Sequence, residues 1–197
     1  MDDLTKRILG ELSNGGLSQI SEQLGVDESR VDSTLSTAMP LLVSALAKNA
    51  SQPEQAQSLL SALDKDHDGS ILSDVGSYLG DAESANGAGI LGHVLGDQQS
   101  VVAQGLAKAT GMNQSEVDNL LKVAAPLVMG ALGEEKQKSG LDPAGLADFL
   151  GGQQKAIDEA NPMISGLLTN FLDKDKDGSF LDDLLEMIMN FFRGRKK

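Results

Sequence analysis

Residues 25–46 align without gaps on residues 111–132, with ten identities in 22 positions. An internal duplication restricts a protein to folds that one unit can build twice. The identities are Gly25/Gly111, Ser29/Ser115, Val31/Val117, Asp32/Asp118, Leu35/Leu121, Ala38/Ala124, Pro40/Pro126, Leu41/Leu127, Ala45/Ala131 and Leu46/Leu132. Their apolar members recur at helical intervals, so Val31, Leu35, Ala38, Leu42 and Leu46 should share one helix face, as should Val117, Leu121, Ala124, Val128 and Leu132. Pro40 and Pro126 lack the amide hydrogen that the ladder needs, and each is expected to kink or break its helix at the same place.

No segment shows the sustained period-two alternation of a strand, and β-branched residues are scattered. The expected fold is all-α: a helical bundle built from two homologous helical repeats. The first repeat spans 1–80, residues 81–90 form a linker of small and polar side chains, and the second spans 91–197. An acidic segment occurs in each half at an offset of 109 residues, against 86 for the helices. The second half thus carries a 23-residue insertion around 133–158, with an extra helix expected near Pro143 to Leu150.

The acidic segments have a composition of their own. Leu63-Asp64-Lys65-Asp66-His67-Asp68-Gly69-Ser70 is matched by Leu172-Asp173-Lys174-Asp175-Lys176-Asp177-Gly178-Ser179. Aspartates at positions 1, 3 and 5, a glycine at 6 and an apolar residue at 8 (Ile71, Phe180) follow an EF-hand-type loop. Carboxylates at alternating positions converge when the backbone curls, and glycine permits the sharp turn. The pattern departs at position 12, where Val75 and Leu184 replace the bidentate Glu and the nearest acids are Asp74 and Asp183 at position 11. Such an acid reaches the ion through a changed turn, acts through water, or caps the next helix.

Two calcium ions are therefore expected, at loop 64–74 with Asp64, Asp66, Asp68, Ser70 and Asp74, and at loop 173–183 with Asp173, Asp175, Asp177, Ser179 and Asp183. Against this stands the plain reading of Asp and Gly as turn formers, but so many like charges in one short loop repel one another without a cation. Zinc and copper lack ligands, because there is no cysteine and the only histidines are His67 and His93. His67, at loop position 4, should face solvent, and His93 should lie on a helix surface.

A net charge of -13 argues against nucleic acid and anionic membranes as partners. Leu17 to Val31 resembles a helix-turn-helix, yet its second helix opens on Asp27-Glu28 with Arg30 as its one cation, the wrong electrostatics for DNA. A packing unit fits better, with Asp27 and Asn113 as N-caps. Apolar stripes continue near the C-terminus through Leu181, Leu184, Leu185, Ile188, Met189 and Phe192, ahead of a basic tail. A core helix explains them more simply than a membrane-surface one. The acidic N-terminus is unlike a secretory signal and no apolar run is long enough to cross a bilayer, so a cytoplasmic location is expected.

Pro40-Leu41-Leu42-Val43-Ser44-Ala45-Leu46, its counterpart from Pro126 to Leu132, and the segment Asp175 to Leu185 resemble the YidB-like bacterial proteins of unknown function. The resemblance implies an all-helical bacterial protein and carries no activity with it. The residues themselves point to a calcium-binding protein in which the ion is mainly a structural staple, with a binding or scaffolding role toward a protein partner or a second copy. The alternative is a hydrolase using carboxylates such as Glu134, Glu135 or Asp158. It has no Ser/His/Asp pattern or phosphate-cradling loop to support it.

Overall fold

A computed structural model of the protein describes residues 4–160, and among them every regular element is helical. Helix α1 (Leu4–Glu11) passes through one π turn, Leu12–Gly16, into α2 (Leu17–Leu24). There follow α3 (Glu28–Ala50), α4 (Pro53–Asp66), the short α5 (Ser70–Ser73) and α6 (Val75–Gly80). A 3-10 turn, Ala82–Ala85, leads to α7 (Gly87–Leu95), then α8 (Gln99–Thr110), α9 (Gln114–Ser139) and α10 (Pro143–Ala160).

The two long helices, α3 and α9, form the centre and pack on each other. Every residue of both expected stripes is at most 3% exposed. The stripes understate the burial, because residues 37–47 and 124–133 are buried on all sides. Helix α10 covers α3 and α4, α7 and α8 cover α9, and α1 packs on both long helices. A single apolar cluster runs through both halves.

The turns before the long helices share a conformation. Gly25 (φ 64°) ends α2 and Gly111 (φ 72°) ends α8, both in the left-handed region where a Cβ is costly. Asn113 caps α9 reciprocally: its side chain accepts from the Glu116 amide at 2.9 Å, and the Asn113 amide donates to the Glu116 carboxylate at 2.8 Å. Asp27 occupies the same position before α3 but its side chain makes no cap hydrogen bond. Its carboxylate lies instead 3.6 Å from the Arg30 guanidinium. Arg30 also donates to the Gly111 carbonyl at 3.3 Å, so the lone cation of the helix-turn-helix-like segment serves an intramolecular contact.

Pro40 and Pro126 do not break their helices, which run continuously through them. In α9 the missing amide at Pro126 frees the carbonyl of Lys122 from its ladder partner. The first residue of α7, Gly87, presses against that carbonyl so closely that a Cβ would overlap it. The stretch read as a linker thus contains a 3-10 turn and the packed start of α7. Small residues permit close approach as readily as they permit flexibility. Residues 133–158, the expected insertion, form the end of α9 and most of α10.

An acidic loop clasped by helix α9

Loop 64–74 begins inside a helix. Helix α4 continues through Asp64 and Asp66, whereas an EF-hand loop leaves its helix near the first ligand. Gly69 then turns the backbone at φ 91°, the sharp turn expected of position 6.

Two glycines of α9 receive this loop. A Cβ on Gly133 would overlap the His67 carbonyl, one on Gly130 would overlap the Ile71 side chain, and one on Gly69 would stand 2.8 Å from Glu134 Cβ. Backbone therefore meets backbone at van der Waals distance. Polar contacts from the same helix hold the loop: Lys136 forms an ion pair with Asp64, and the Gln137 amide donates to the Asp68 carbonyl at 2.8 Å. Below the loop, α6 is fixed from both sides. The Tyr78 hydroxyl donates to the Val123 carbonyl at 2.8 Å, while Gln19 and Gln23 of α2 donate to the carbonyls of Gly76 at 3.3 Å and Leu79 at 2.7 Å.

The predicted ligands have separate fates. Asp64 goes to Lys136. Asp68 closes a local turn, accepting from the Ser70 amide at 3.0 Å, and hydrogen bonds from the Ser70 hydroxyl and amide hold its carboxyl below the usual range. Asp74 is the N-cap of α6, accepting from the Ser77 amide at 3.0 Å and hydroxyl at 2.7 Å, which lowers its pKa likewise. Asp66, Asp68 and Asp74 nevertheless line one surface cleft of about 640 Å³, together with Ser70, Ser77 and Tyr78. Among the described residues, no three acidic or histidine side chains stand close enough to hold a metal ion as placed. Loop 173–183, with Asp173, Asp175, Asp177, Ser179 and Asp183, lies outside the described residues, as does Phe180, the counterpart of Ile71 at loop position 8.

His67 does not face solvent freely. It is half-buried, and burial pushes its imidazole pKa down against the opposing charge of Asp66. His93 is an exposed helix residue whose Nδ1 lies 2.8 Å from the Gly89 carbonyl. Two of the carboxylates considered for hydrolysis are engaged in ion pairs. Arg7 lies 3.6 Å from Glu134 and 3.5 Å from Glu135, and Lys138 pairs with Glu134, whose carboxyl is lowered chiefly by that lysine. Asp158 sits on α10, away from the cleft lining.

Sequence reasoning missed the α9 side of the clasp. Gly130 and Gly133 were a legible signal, since helix-interior glycines one turn apart mark close approach. Lys136 and Gln137 carried none, because their partners lie 72 and 69 residues away.

These features define an all-helical bundle whose central helix clasps an acidic loop. The chain belongs to the DUF937 family of bacterial proteins of unknown function, whose model matches residues 6–135. The match takes in loop 64–74 and the clasping glycines and ends before α10. No curated protein and no solved structure matches the chain significantly. No helix among the described residues is long and apolar enough to cross a membrane.

Proposed function

We propose that this chain is a calcium-binding protein in which the ion staples loop 64–74 between α4 and α6, and that its role is binding or scaffolding rather than catalysis. The observation that carries the reading is the shared cleft of Asp66, Asp68 and Asp74, three acidic residues from one short segment that line one space. Calcium suits such a donor set because it accepts six to eight oxygens in flexible geometry. Asp66, Asp68, Asp74 and Ser70 would supply the first oxygens. Asp64 would join after leaving Lys136, whose ammonium stands at that carboxylate as the protein's own cation.

A staple fits better than a sensor. The clasp on α9 is made by backbone packing and side-chain hydrogen bonds that need no ion, so occupancy adds stability to a loop already in place. An ion that binds only the folded state stabilises it by about 2.7 kcal/mol at a hundred times its dissociation constant. The equivalent turns at Gly25 and Gly111 support descent of the halves from one unit, and the same reading extends calcium to loop 173–183 and relates the protein to YidB-like proteins.

Calorimetric titration of chelator-treated protein with calcium, with magnesium as competitor, tests the proposal. An Asp66→Asn, Asp68→Asn variant should lose the site assigned to loop 64–74. Lys136→Gln should bind calcium about tenfold more tightly, because it removes a positive charge beside the ion. Absence of heat and of any melting shift at millimolar calcium would reject calcium binding.

A further inference from the structure

The protein holds two Asn-Gly sequences among the described residues, Asn14-Gly15 and Asn86-Gly87, and the fold treats them differently. We propose that Asn14 is a site of spontaneous deamidation to isoaspartate and that Asn86 is protected from it. In this reaction the backbone nitrogen of the following residue attacks the carbonyl carbon of the asparagine amide group. A bond forms between that nitrogen and that carbon, the bond from the carbon to the amide's own nitrogen breaks, and ammonia leaves, giving a cyclic imide. Water then opens either carbonyl, yielding aspartate or isoaspartate. Glycine in second place favours the attack because no side chain hinders the nitrogen.

The two asparagines differ in φ, -80° at Asn14 and 51° at Asn86, but have nearly the same ψ, 30° and 36°, and ψ is the torsion that sets the distance between the attacking nitrogen and the side-chain carbon. Each must rotate ψ to bring nitrogen and carbon together, and room for that rotation does separate them. Asn14 and Gly15 are exposed, and they lie where the α1–α2 helix departs from helical torsions, with Gly15 at φ 111°. Apart from its own turn of backbone and its chain neighbours, nothing approaches within 4 Å of a Cβ built on Gly15. Gly87, by contrast, is buried with its backbone against the Lys122 carbonyl, and the Asn86 side chain folds over Gly89, 2.6 Å from where a Cβ would stand. Rotation at Asn86 has to lift the start of α7 off α9.

The consequence reaches the cleft. Gly16, two residues on, packs where a Cβ would stand 3.4 Å from Val75 and 3.5 Å from Leu79 of α6. Isoaspartate at position 14 lengthens the backbone by one atom beside that contact, in the turn on which α6 rests.

Peptide mapping by mass spectrometry of the full-length protein, aged at neutral to mildly alkaline pH, gives the test, with the same protein in urea as reference. In urea both sites should convert at similar rates. In the folded protein Asn86 should fall behind Asn14 by at least about tenfold, since a protected site reacts only through local opening. Conversion of folded Asn86 as fast as Asn14 would overturn the proposal. So would a folded Asn14 that stays intact while the urea reference converts.

Discussion

The carbonyl of His67 lies against Gly133 with no room for a side chain between them. This single approach sets the seat of the acidic loop on α9 and yields a paired prediction. Gly133→Ala gains about 1 kcal/mol of helix propensity but must push backbone off backbone, and should destabilise the protein by about 1–3 kcal/mol net. Gly92→Ala is the control: Gly92 is exposed in α7 with nothing within 4 Å of its would-be Cβ, and the change should stabilise by about 0.5–1 kcal/mol. Urea unfolding midpoints of the two variants check both signs.

Tyr78 ties α6 to α9 through the Val123 carbonyl. Burial opposes the phenolate and raises its pKa well above the ordinary 10. Tyr78→Phe keeps the ring and removes the donor, and should cost about 1 kcal/mol. Amide exchange should show the loss locally, with faster exchange in α6 than in the unaltered protein and no change in α3.

Acid should weaken the loop before the core. Asp68 and Asp74 have folded pKa values below the ordinary 3.8, so their contribution is present above that value and is lost as pH falls through the lower folded values. The folded pKa of His67 is lowered below 6.5, first by burial. The unfolded protein then takes up that proton more readily, and stability falls as pH drops from about 6.5. Unfolding midpoints should therefore decline in two stages on acidification, and His67→Asn should remove the upper one. A wild-type midpoint that holds constant between about pH 7 and pH 5.5 would contradict the lowered pKa of the half-buried imidazole.

Ser44 in α3 has a fully buried hydroxyl with no hydrogen-bond partner among the described residues. It aligns with Gly130, the position in α9 that receives Ile71. Ser44→Ala removes an unsatisfied group and improves helix propensity, and a gain of about 1 kcal/mol is expected in thermal or urea unfolding.

Local sequence is enough to account for the helices and their buried faces. The period of Val31, Leu35, Ala38, Leu42 and Leu46, and of its counterpart, belongs to one stretch of residues at a time, and no competing strand pattern opposed it. Turn chemistry was equally local: Gly25 and Gly111 take left-handed torsions, Gly69 turns the loop, and Asn113 caps α9 because Glu116 is three residues away. Packing between distant segments resolved what these rules left open. Asp27 gave up its capping bond to stand beside Arg30, the end of segment 81–90 packed on a carbonyl freed by Pro126, and both prolines stayed within unbroken helices. The acidic loop shows the division most clearly. Its carboxylate spacing is written within one short segment, but Asp64 found Lys136, 72 residues away, and Gly133 admitted the His67 backbone. Charge and shape complementarity between distant segments exist only once the helices have packed, and no periodicity or spacing within either segment encodes them.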